Sequence, residues 1–376
     1  MRVMHVMECT IGGTRRHLVD VARGQRQRGM EVSVVASTLR DPDFPAELDL
    51  LEAEGVHVIR LNMLREVRPS VDRQHMATLK AVLREVRPDI VHTHSSKAGV
   101  LGRQASLSTK IGRRVHSPHT FAFLFKALFG WHKRLAYQAI EGHFAYRSQA
   151  IIAVSESEAK SFASSWAVPS KRIRVVPNGI DPLRFQNAAP VDVAEFDLDP
   201  GRPIALMVGL VYAAKGQDLA LEALAQPGLE ELQLICAGPG DLSAVEAQAK
   251  SLGIRDRVRF LGPRRDVPKL LASCDFLALP SRWEGMPYVV LEAMAAGRPV
   301  MATPVNGAVD AIQDPTTGVL CSGIDAQSVA LGLRRMLEVG AEGRAAMGRQ
   351  GAAWLEGRYT IPAMLDGLQA VYEDVL

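Results

Sequence analysis

The chain has 376 residues, 47% of them hydrophobic and 23% charged, so it is long enough for two cores of ordinary domain size and too apolar for a disordered or fibrous protein. Its net charge of +3 hides an asymmetry, with 28 Lys and Arg against 17 Asp and Glu in residues 1–190 and 16 against 24 in the remainder. Cys9, Cys236, Cys274 and Cys321 are scattered without zinc-ligand spacing, and no run of about 18 uncharged apolar residues occurs; a disulfide scaffold, a zinc finger and a membrane span are set aside, and a cytoplasmic protein is expected.

In chain order, Val3 to Glu8, Glu31 to Ser37, Val56 to Leu61, Asp89 to His94, Val115 to Pro118, Ala150 to Ser155 and Ile173 to Pro177 read as strands. Helix-compatible periodicity fills Thr14 to Arg28, Arg73 to Val86, Ala98 to Ser108 and Ser157 to Ser164. Such alternation predicts a parallel sheet wrapped on both faces. Residues Asp181 to Arg202, rich in Pro, Asp and Ala, read as a linker. A second alternating series follows, with strands at Ile204 to Val208, Gln233 to Ala237, Val258 to Leu261, Phe276 to Leu279 and Pro299 to Ala302, and the tail from Ala326 to Leu376 reads as helical. The basic first half, without a helix-turn-helix or RNA-binding signature, points away from nucleic acid and toward phosphorylated substrates or an anionic membrane surface.

Ligands of open parallel sheets bind beyond the carboxyl ends of the strands. Gly12-Gly13 occupies such a loop after the first strand, although neither G-x-G-x-x-G nor G-x-x-x-x-G-K-[ST] is present, which disfavours a nicotinamide enzyme and a nucleoside triphosphatase. The densest signal is Glu284-Gly-Met-Pro-Tyr-Val-Val-Leu-Glu292, which follows the strand ending at Leu279. Pro287 is placed to open a helix, leaving Glu284 in the loop and Glu292 within the helix. A strand, loop and helix unit of this kind aims backbone N–H groups at an anion, and two nearby carboxylates accept from hydroxyls.

These segments, together with Gly12-Gly13-Thr-Arg-Arg-His17, His94-Ser-Ser-Lys-Ala-Gly99, Ser117-Pro-His-Thr-Phe121, Val176-Pro-Asn-Gly-Ile-Asp181, Val208-Gly209 with Lys215-Gly216, and Asp256-Arg-Val-Arg-Phe-Leu-Gly262, resemble family 4 of the retaining glycosyltransferases of GT-B fold, particularly those of bacterial surface polysaccharide assembly. The resemblance spans nearly the whole chain. It implies an α/β fold of two doubly wound, Rossmann-like domains facing across a cleft: an acceptor-binding domain over 1–182, a linker over 183–202, a nucleotide-sugar domain over 203–358, and a helix over 359–376 returning toward the first domain. It implies a hexose or N-acetylhexosamine transferred from a UDP-sugar, or less readily a GDP-sugar, to a glycan hydroxyl.

By the same resemblance Glu292 holds the ribose, Glu284 lies by the donor sugar, and Gly285, Met286 and Pro287 line the sugar and phosphate path. Lys215 beside Gly216 would neutralise the departing diphosphate, Arg264 would lie near the base, Gly12 and Gly13 would approach the donor, and His119 would be the active-site histidine. Catalysis is thus expected to rest on His119, Lys215 and Glu284. The sequence departs from the family at Leu210, where relatives carry a second diphosphate-binding arginine; Arg264, Arg265, Arg282, Arg15 and Arg16 are the available substitutes. Asp310 stands where relatives often have Glu. This departure keeps a catalytically weak nucleotide-sugar-binding protein as an alternative, alongside a nucleotide-sugar epimerase or phosphorylase of the same architecture.

Asp41-Pro-Asp43 and Asp197-Leu-Asp199 match a metal-binding Asp-x-Asp motif in letters but fall in loops away from the strand ends, so no metal and no other cofactor is expected. His92 and His94, alternating to one face of a strand, read as structural or acceptor-loop residues rather than metal ligands. Between residues 120 and 147, Phe121, Phe123, Phe125, Phe129, Trp131, Tyr137, Phe144 and Tyr146 are interleaved with Lys126, Lys133, Arg134 and Arg147. That pattern suits a monotopic face on an anionic bilayer, giving the expectation of a lipid-linked acceptor on the inner face of the plasma membrane.

Overall fold

A computed structural model describes residues 1–125 and 129–376. The chain divides into two units, the first Met1–Asn178 with Ile361–Leu376 and the second Gly179–Thr360. In the first unit β1 (Arg2–Met7), β2 (Glu31–Ala36), β3 (His57–Arg60), β4 (Ile90–His94), β5 (Arg113–Ser117), β6 (Ala150–Ala153) and β7 (Ile173–Val175) form a parallel sheet in the order β3-β2-β1-β4-β5-β6-β7. The order reverses between β1 and β4, where doubly wound sheets open a ligand crevice. Between the strands run α1 (Gly12–Gln27), α2 (Phe44–Ala53), α3 (Pro69–Val86), α4 (Ser96–Thr109), α5 (Trp131–Ala145) and α6 (Glu156–Ala163).

The second unit contains α7 (Leu183–Gln186), β8 (Ile204–Val208), α8 (Gln217–Leu224), β9 (Gln233–Ala237), α9 (Ser243–Ser251), β10 (Val258–Gly262), α10 (Val267–Ser273), β11 (Phe276–Leu279), α11 (Tyr288–Ala295), β12 (Val300–Ala302), α12 (Ala308–Ala311), β13 (Gly318–Leu320), α13 (Ala326–Glu338) and α14 (Gly340–Leu355). Its sheet is parallel in the order β10-β9-β8-β11-β12-β13, again reversing beside its first strand. The doubly wound α/β reading is therefore correct for both units, and β13 is a strand beyond those expected.

Apolar runs such as Ile-Ala-Leu-Met in β8 and Phe-Leu-Ala-Leu in β11 are buried because helices cover both sheet faces. The terminal α15 (Ile361–Val375) belongs to the first unit, where Met364, Leu368, Val371 and Tyr372 join the core beneath α1. A side chain at Gly24 would collide with Leu365, so α1 and α15 lie in close contact. Residues 183–202, expected as a linker, fold onto the second unit instead: Phe185, Val193 and Leu198 are buried and Val191 N–H donates to Ser273 Oγ. Three apolar anchors dispersed among Pro and Asp, with hydrogen bonds such as those of Asp199 with Gln233, dock a segment that lacks a periodic pattern.

Helix α14 crosses the end of α11 where Gly348 meets the backbone of Gly297; a Cβ at 348 would sit 1.9 Å from the Gly297 carbonyl oxygen. Gly348→Ala is expected to destabilise the second unit by about 1–3 kcal/mol through overpacking. Thermal or urea denaturation checks this, and an unchanged midpoint would mean that the two helices can separate without cost.

Candidate functional site

In the second unit the backbone of four loops converges at the carboxyl ends of the strands. Gly216 adopts φ +68, and a Cβ there would lie 2.0 Å from the Pro280 carbonyl oxygen, so the turn opening α8 is pressed against the loop after β11. Gly238, at φ +154, meets the Gly209 carbonyl oxygen in the same way, and Gly307, at φ +74, meets Gly285 and Met286. Only glycine combines these positive φ values with such close approach.

This convergence seats Lys215 and Glu284 together. Lys215 Nζ lies 2.6 Å from Glu284 Oε1, which also accepts from Ser281 Oγ at 2.7 Å. The Lys215 side chain is 23% exposed and that of Glu284 12%, so the pair is partly open to solvent. The Lys215 stem runs along Gly209, where a Cβ would come within 3.1 Å of it. Met286 and Pro287 are buried below, and Glu292 is half-buried within α11. Pro287 is the residue before α11 rather than its first, with an extended conformation that turns the chain into the helix.

Four of the five cations available in place of Leu210 are paired with carboxylates. Arg282 is bidentate on Asp218 at 2.8 and 2.6 Å, and Arg264 is bidentate on Asp266 at 2.8 and 2.6 Å. Arg15 pairs with Asp41 and Glu47, and Arg16 with Asp20. Leu210 is half-buried, and its carbonyl accepts from Gln217 Nε2. Of the Asp-x-Asp matches, Asp41 is tied to Arg15, and Asp199 Oδ1 accepts from Gly201 N–H in a local turn.

In the first unit the strand ends carry histidines. His5, His92 and His94 are fully buried, His17 is 2% exposed, and His119 is partly exposed. His5 lies opposite His92 in the β1–β4 ladder, and Met7 lies opposite His94. His5 Nδ1 and His94 Nε2 are 3.0 Å apart, and His94 Nδ1 and His119 Nε2 3.2 Å. The His17 and His119 ring centroids are 4.8 Å apart, edge to face. Gly12, at φ +57, and Gly13 are exposed at the start of α1, the helix that carries His17. His119 and Thr120 themselves have φ of +51 and +77, a conformation that costs non-glycine residues about 1–3 kcal/mol each. Thr120 Oγ1 donates to Glu158, whose other oxygen accepts from Val154 N–H, so a buried carboxylate pins this loop to α6.

Burial lowers His5 and His119 to about 4, and holds His17, His92, His94 and His116 well below the ordinary imidazole value, so all six rings are neutral near pH 7. Two triads, His5–His92–His94 and His17–His94–His119, each bring one ring nitrogen per residue within 4.8 Å, a spacing that suits a three-nitrogen metal site. In both, His94 has its nitrogens engaged in imidazole–imidazole hydrogen bonds.

The structure thus brings Lys215, Gly216, Glu284, Gly285, Met286 and Pro287 into one locus, with Glu292 on the helix that leaves it. Gly12, Gly13 and His119 lie at the strand ends of the first unit, and Arg264 follows β10. Ser281, His5, Gln25 and Tyr372 were not expected. His5 had a signal, a polar ring at the centre of an apolar strand. The aromatic stretch does not form one face: Phe121, Phe123 and Phe144 are core residues, whereas Trp131 and Tyr146 are 66% and 57% exposed, and Lys126 lies outside the described residues.

The sequence matches the family described as Glycosyltransferase Family 4 over residues 11–184, and that described as Glycosyl transferases group 1 over residues 190–354. It is 28% identical to the UDP-Gal:alpha-D-GlcNAc-diphosphoundecaprenol alpha-1,3-galactosyltransferase of Escherichia coli, over 65% of this chain and 65% of the relative. It is 30% identical to the D-inositol 3-phosphate glycosyltransferase of Segniliparus rotundus, over 76% of this chain and 66% of the relative. The match therefore spans about two thirds of either relative. Among solved structures, Anabaena HepE in complex with UDP and glucose has a TM-score of 0.83 at 22% identity, with both chains covered in full. The sucrose-phosphate synthase of Thermosynechococcus elongatus has a TM-score of 0.83 at 20% identity, covering 100% of this chain and 98% of that one. These two establish the shared fold.

Neutral buried histidines couple stability to pH. Below the ordinary value of 6.5 the unfolded chain takes up protons that the folded rings refuse, so the contribution is complete above about 6.5 and is lost as pH falls toward 4. Urea unfolding is expected to show stability decreasing by roughly 1.4 kcal/mol per pH unit for each such histidine across that window. A flat profile between about pH 7 and 5 would show that the rings are charged or solvated.

Proposed function

The chain belongs to glycosyltransferase family 4, and on that premise we propose that it transfers a hexose or N-acetylhexosamine from a UDP-sugar to a hydroxyl of a lipid-linked glycan, with retention of anomeric configuration and without a metal ion. The Lys215–Glu284 pair carries this reading. A nucleoside diphosphate leaves with extra negative charge on its outer phosphate, and a preorganised ammonium opposes that charge at the moment it develops. Backbone N–H groups at the starts of α8 and α11 add partial positive charge. Glu292 accepts from the ribose hydroxyls and Glu284 from the donor sugar, while Arg264 lies toward the base. The departing phosphate assists deprotonation of the acceptor, so no carboxylate nucleophile is required.

Support for a uridine donor comes from two relatives: UDP-Gal is in the name of the Escherichia coli protein, and UDP occupies HepE. The former also acts on a diphosphoundecaprenol-linked sugar, as its name states. Helix α5 supports a lipid-linked acceptor. Trp131 and Leu135 are exposed one turn apart, Ile140 and Tyr146 are exposed beyond them, and Trp166 packs beside Gly142 at 58% exposure. Exposed Lys133 and Arg147 share the helix and its end. Aromatic and aliphatic side chains with flanking cations suit the headgroup region of an anionic bilayer.

UDP is expected to raise the melting temperature more than GDP, since a ligand at 100 times its Kd stabilises by about 2.7 kcal/mol. Lys215→Ala should lower turnover by about 10²-fold or more, and activity should persist in EDTA. Unchanged turnover in the variant, or strict loss in EDTA restored by Mn²⁺, would overturn the corresponding part of the mechanism. In flotation, vesicles containing phosphatidylglycerol should bind the protein in a salt-sensitive manner that Trp131→Ser with Leu135→Ser weakens. Absence of binding at low salt removes the membrane surface from the reading.

A further inference from the structure

The histidines of the first unit form a chain with a direction. Tyr372 Oη accepts from Gln25 Nε2 at 3.2 Å, so its own proton goes to His92 Nδ1, 2.6 Å away. His92 then donates from Nε2 to Ser117 Oγ at 2.8 Å. With its amino group turned to Tyr372, Gln25 presents Oε1 to His5 Nε2 at 2.8 Å. A carbonyl only accepts, so His5 carries its proton on Nε2 and has a lone pair on Nδ1. The 3.0 Å bond to His94 is therefore donated by His94 Nε2, which leaves the lone pair of that ring on Nδ1. His119 Nε2 donates to it at 3.2 Å. Each neutral ring has one donor and one acceptor, so fixing the first proton fixes them all. At the far end His119 Nδ1 holds a lone pair and makes no hydrogen bond to the described residues, on the one ring of the three that solvent reaches.

We propose that Gln25, oriented by Tyr372, acts through His5 and His94 to hold His119 in the tautomer protonated at Nε2, so that His119 offers substrate a hydrogen-bond acceptor at Nδ1. This rests on the reading of His119 as a substrate-contacting residue. A lone pair accepts from a sugar hydroxyl and repels a phosphate oxygen, so Nδ1 suits a hydroxyl-bearing group rather than an anionic one. Gln25 and Tyr372 are positioning residues, 1% and 0% exposed, and Tyr372 comes from α15 at the far end of the sequence. The C-terminal helix thereby sets the proton position on a ring in the loop after β5.

The test is the nitrogen and carbon spectrum of the full-length protein labelled at histidine, with single His→Gln variants for assignment. The unsubstituted protein should show His5, His94 and His119 each protonated at Nε2. In Gln25→Leu, His5 Nε2 faces an apolar group. A buried N–H without an acceptor is costlier than a bare lone pair, so all three tautomers should reverse. Tyr372→Phe, a milder change, should release the Gln25 amide and give mixed tautomers. Hydrolysis of UDP-glucose should lose about tenfold in kcat/KM in Gln25→Leu, the worth of one hydrogen bond. Protonation of His119 at Nδ1 in the unsubstituted protein, or tautomers unmoved by both variants, overturns the proposal. If His119→Ala hydrolyses UDP-glucose at the unsubstituted rate, the substrate-contact reading fails instead, and the spectra decide the tautomer separately.

Discussion

Position 216 admits no side chain, and much of the second unit's chemistry follows from that. The 2.0 Å that would separate a Cβ from the Pro280 carbonyl oxygen lets the β8–α8 turn and the β11–α11 loop touch backbone to backbone. Residues 215 and 284, far apart in sequence, come within 2.6 Å as a result. Gly238 against Gly209, and Gly307 against Gly285, extend the same arrangement to the loops after β9 and β12. A methyl at any of these positions would move a loop by an ångström or more, and displacements of that size are enough to spoil a preorganised charge. The glycines here are therefore conditions on the electrostatics as much as on the chain path.

Strands such as Ile204–Val208 and Phe276–Leu279 were legible because a parallel sheet covered on both faces demands short, unbroken apolar runs. The strand Gly318–Leu320 was not, since three residues beginning with glycine carry no pattern. Its place at the sheet edge comes from pairing with β12. The segment 183–202 was hard to read for a related reason: composition averages over a window, while docking rests on Phe185, Val193 and Leu198 and on hydrogen bonds such as those of Asp199 with Gln233. Glu284 in its loop and Glu292 in its helix could be placed because Pro287 fixes where the helix can begin. Which cations were available could not be read. Every arginine looks alike in sequence, yet Arg282 and Arg264 are each locked on a neighbouring aspartate.

The histidine chain shows where sequence reading runs out. Alternation on a strand places His92 and His94 on one face and no more. That His5 meets His94 depends on the register of β1 with β4, and that Gln25 meets Tyr372 depends on α15 returning to α1 across 347 positions. Proton positions are a property of the closed set of partners. Burial contributes the other half, for a charged ring would break the logic of one donor and one acceptor per residue. The positive φ of His119 and Thr120 lies in a loop that Glu158 of α6 ties down through Thr120 Oγ1.

Leu210 sharpens the electrostatic argument. Of the arginines that could replace a cation at that position, Arg282, Arg264, Arg15 and Arg16 have their counter-charges already in contact. Pulling Arg282 from Asp218 would sacrifice two short charge-assisted hydrogen bonds and leave a carboxylate behind, so net charge would not improve. Lys215 is held by a single contact to Glu284 Oε1, an oxygen it shares with Ser281 Oγ, whereas Arg282 is held by two contacts to Asp218. On the proposed function, one ammonium beside glycine-lined loops and helix starts would suit a phosphate whose charge grows during the reaction better than one that must be tightly held beforehand. On that reading the interaction would be strongest at departure, the condition for binding energy to lower a barrier rather than deepen a resting complex.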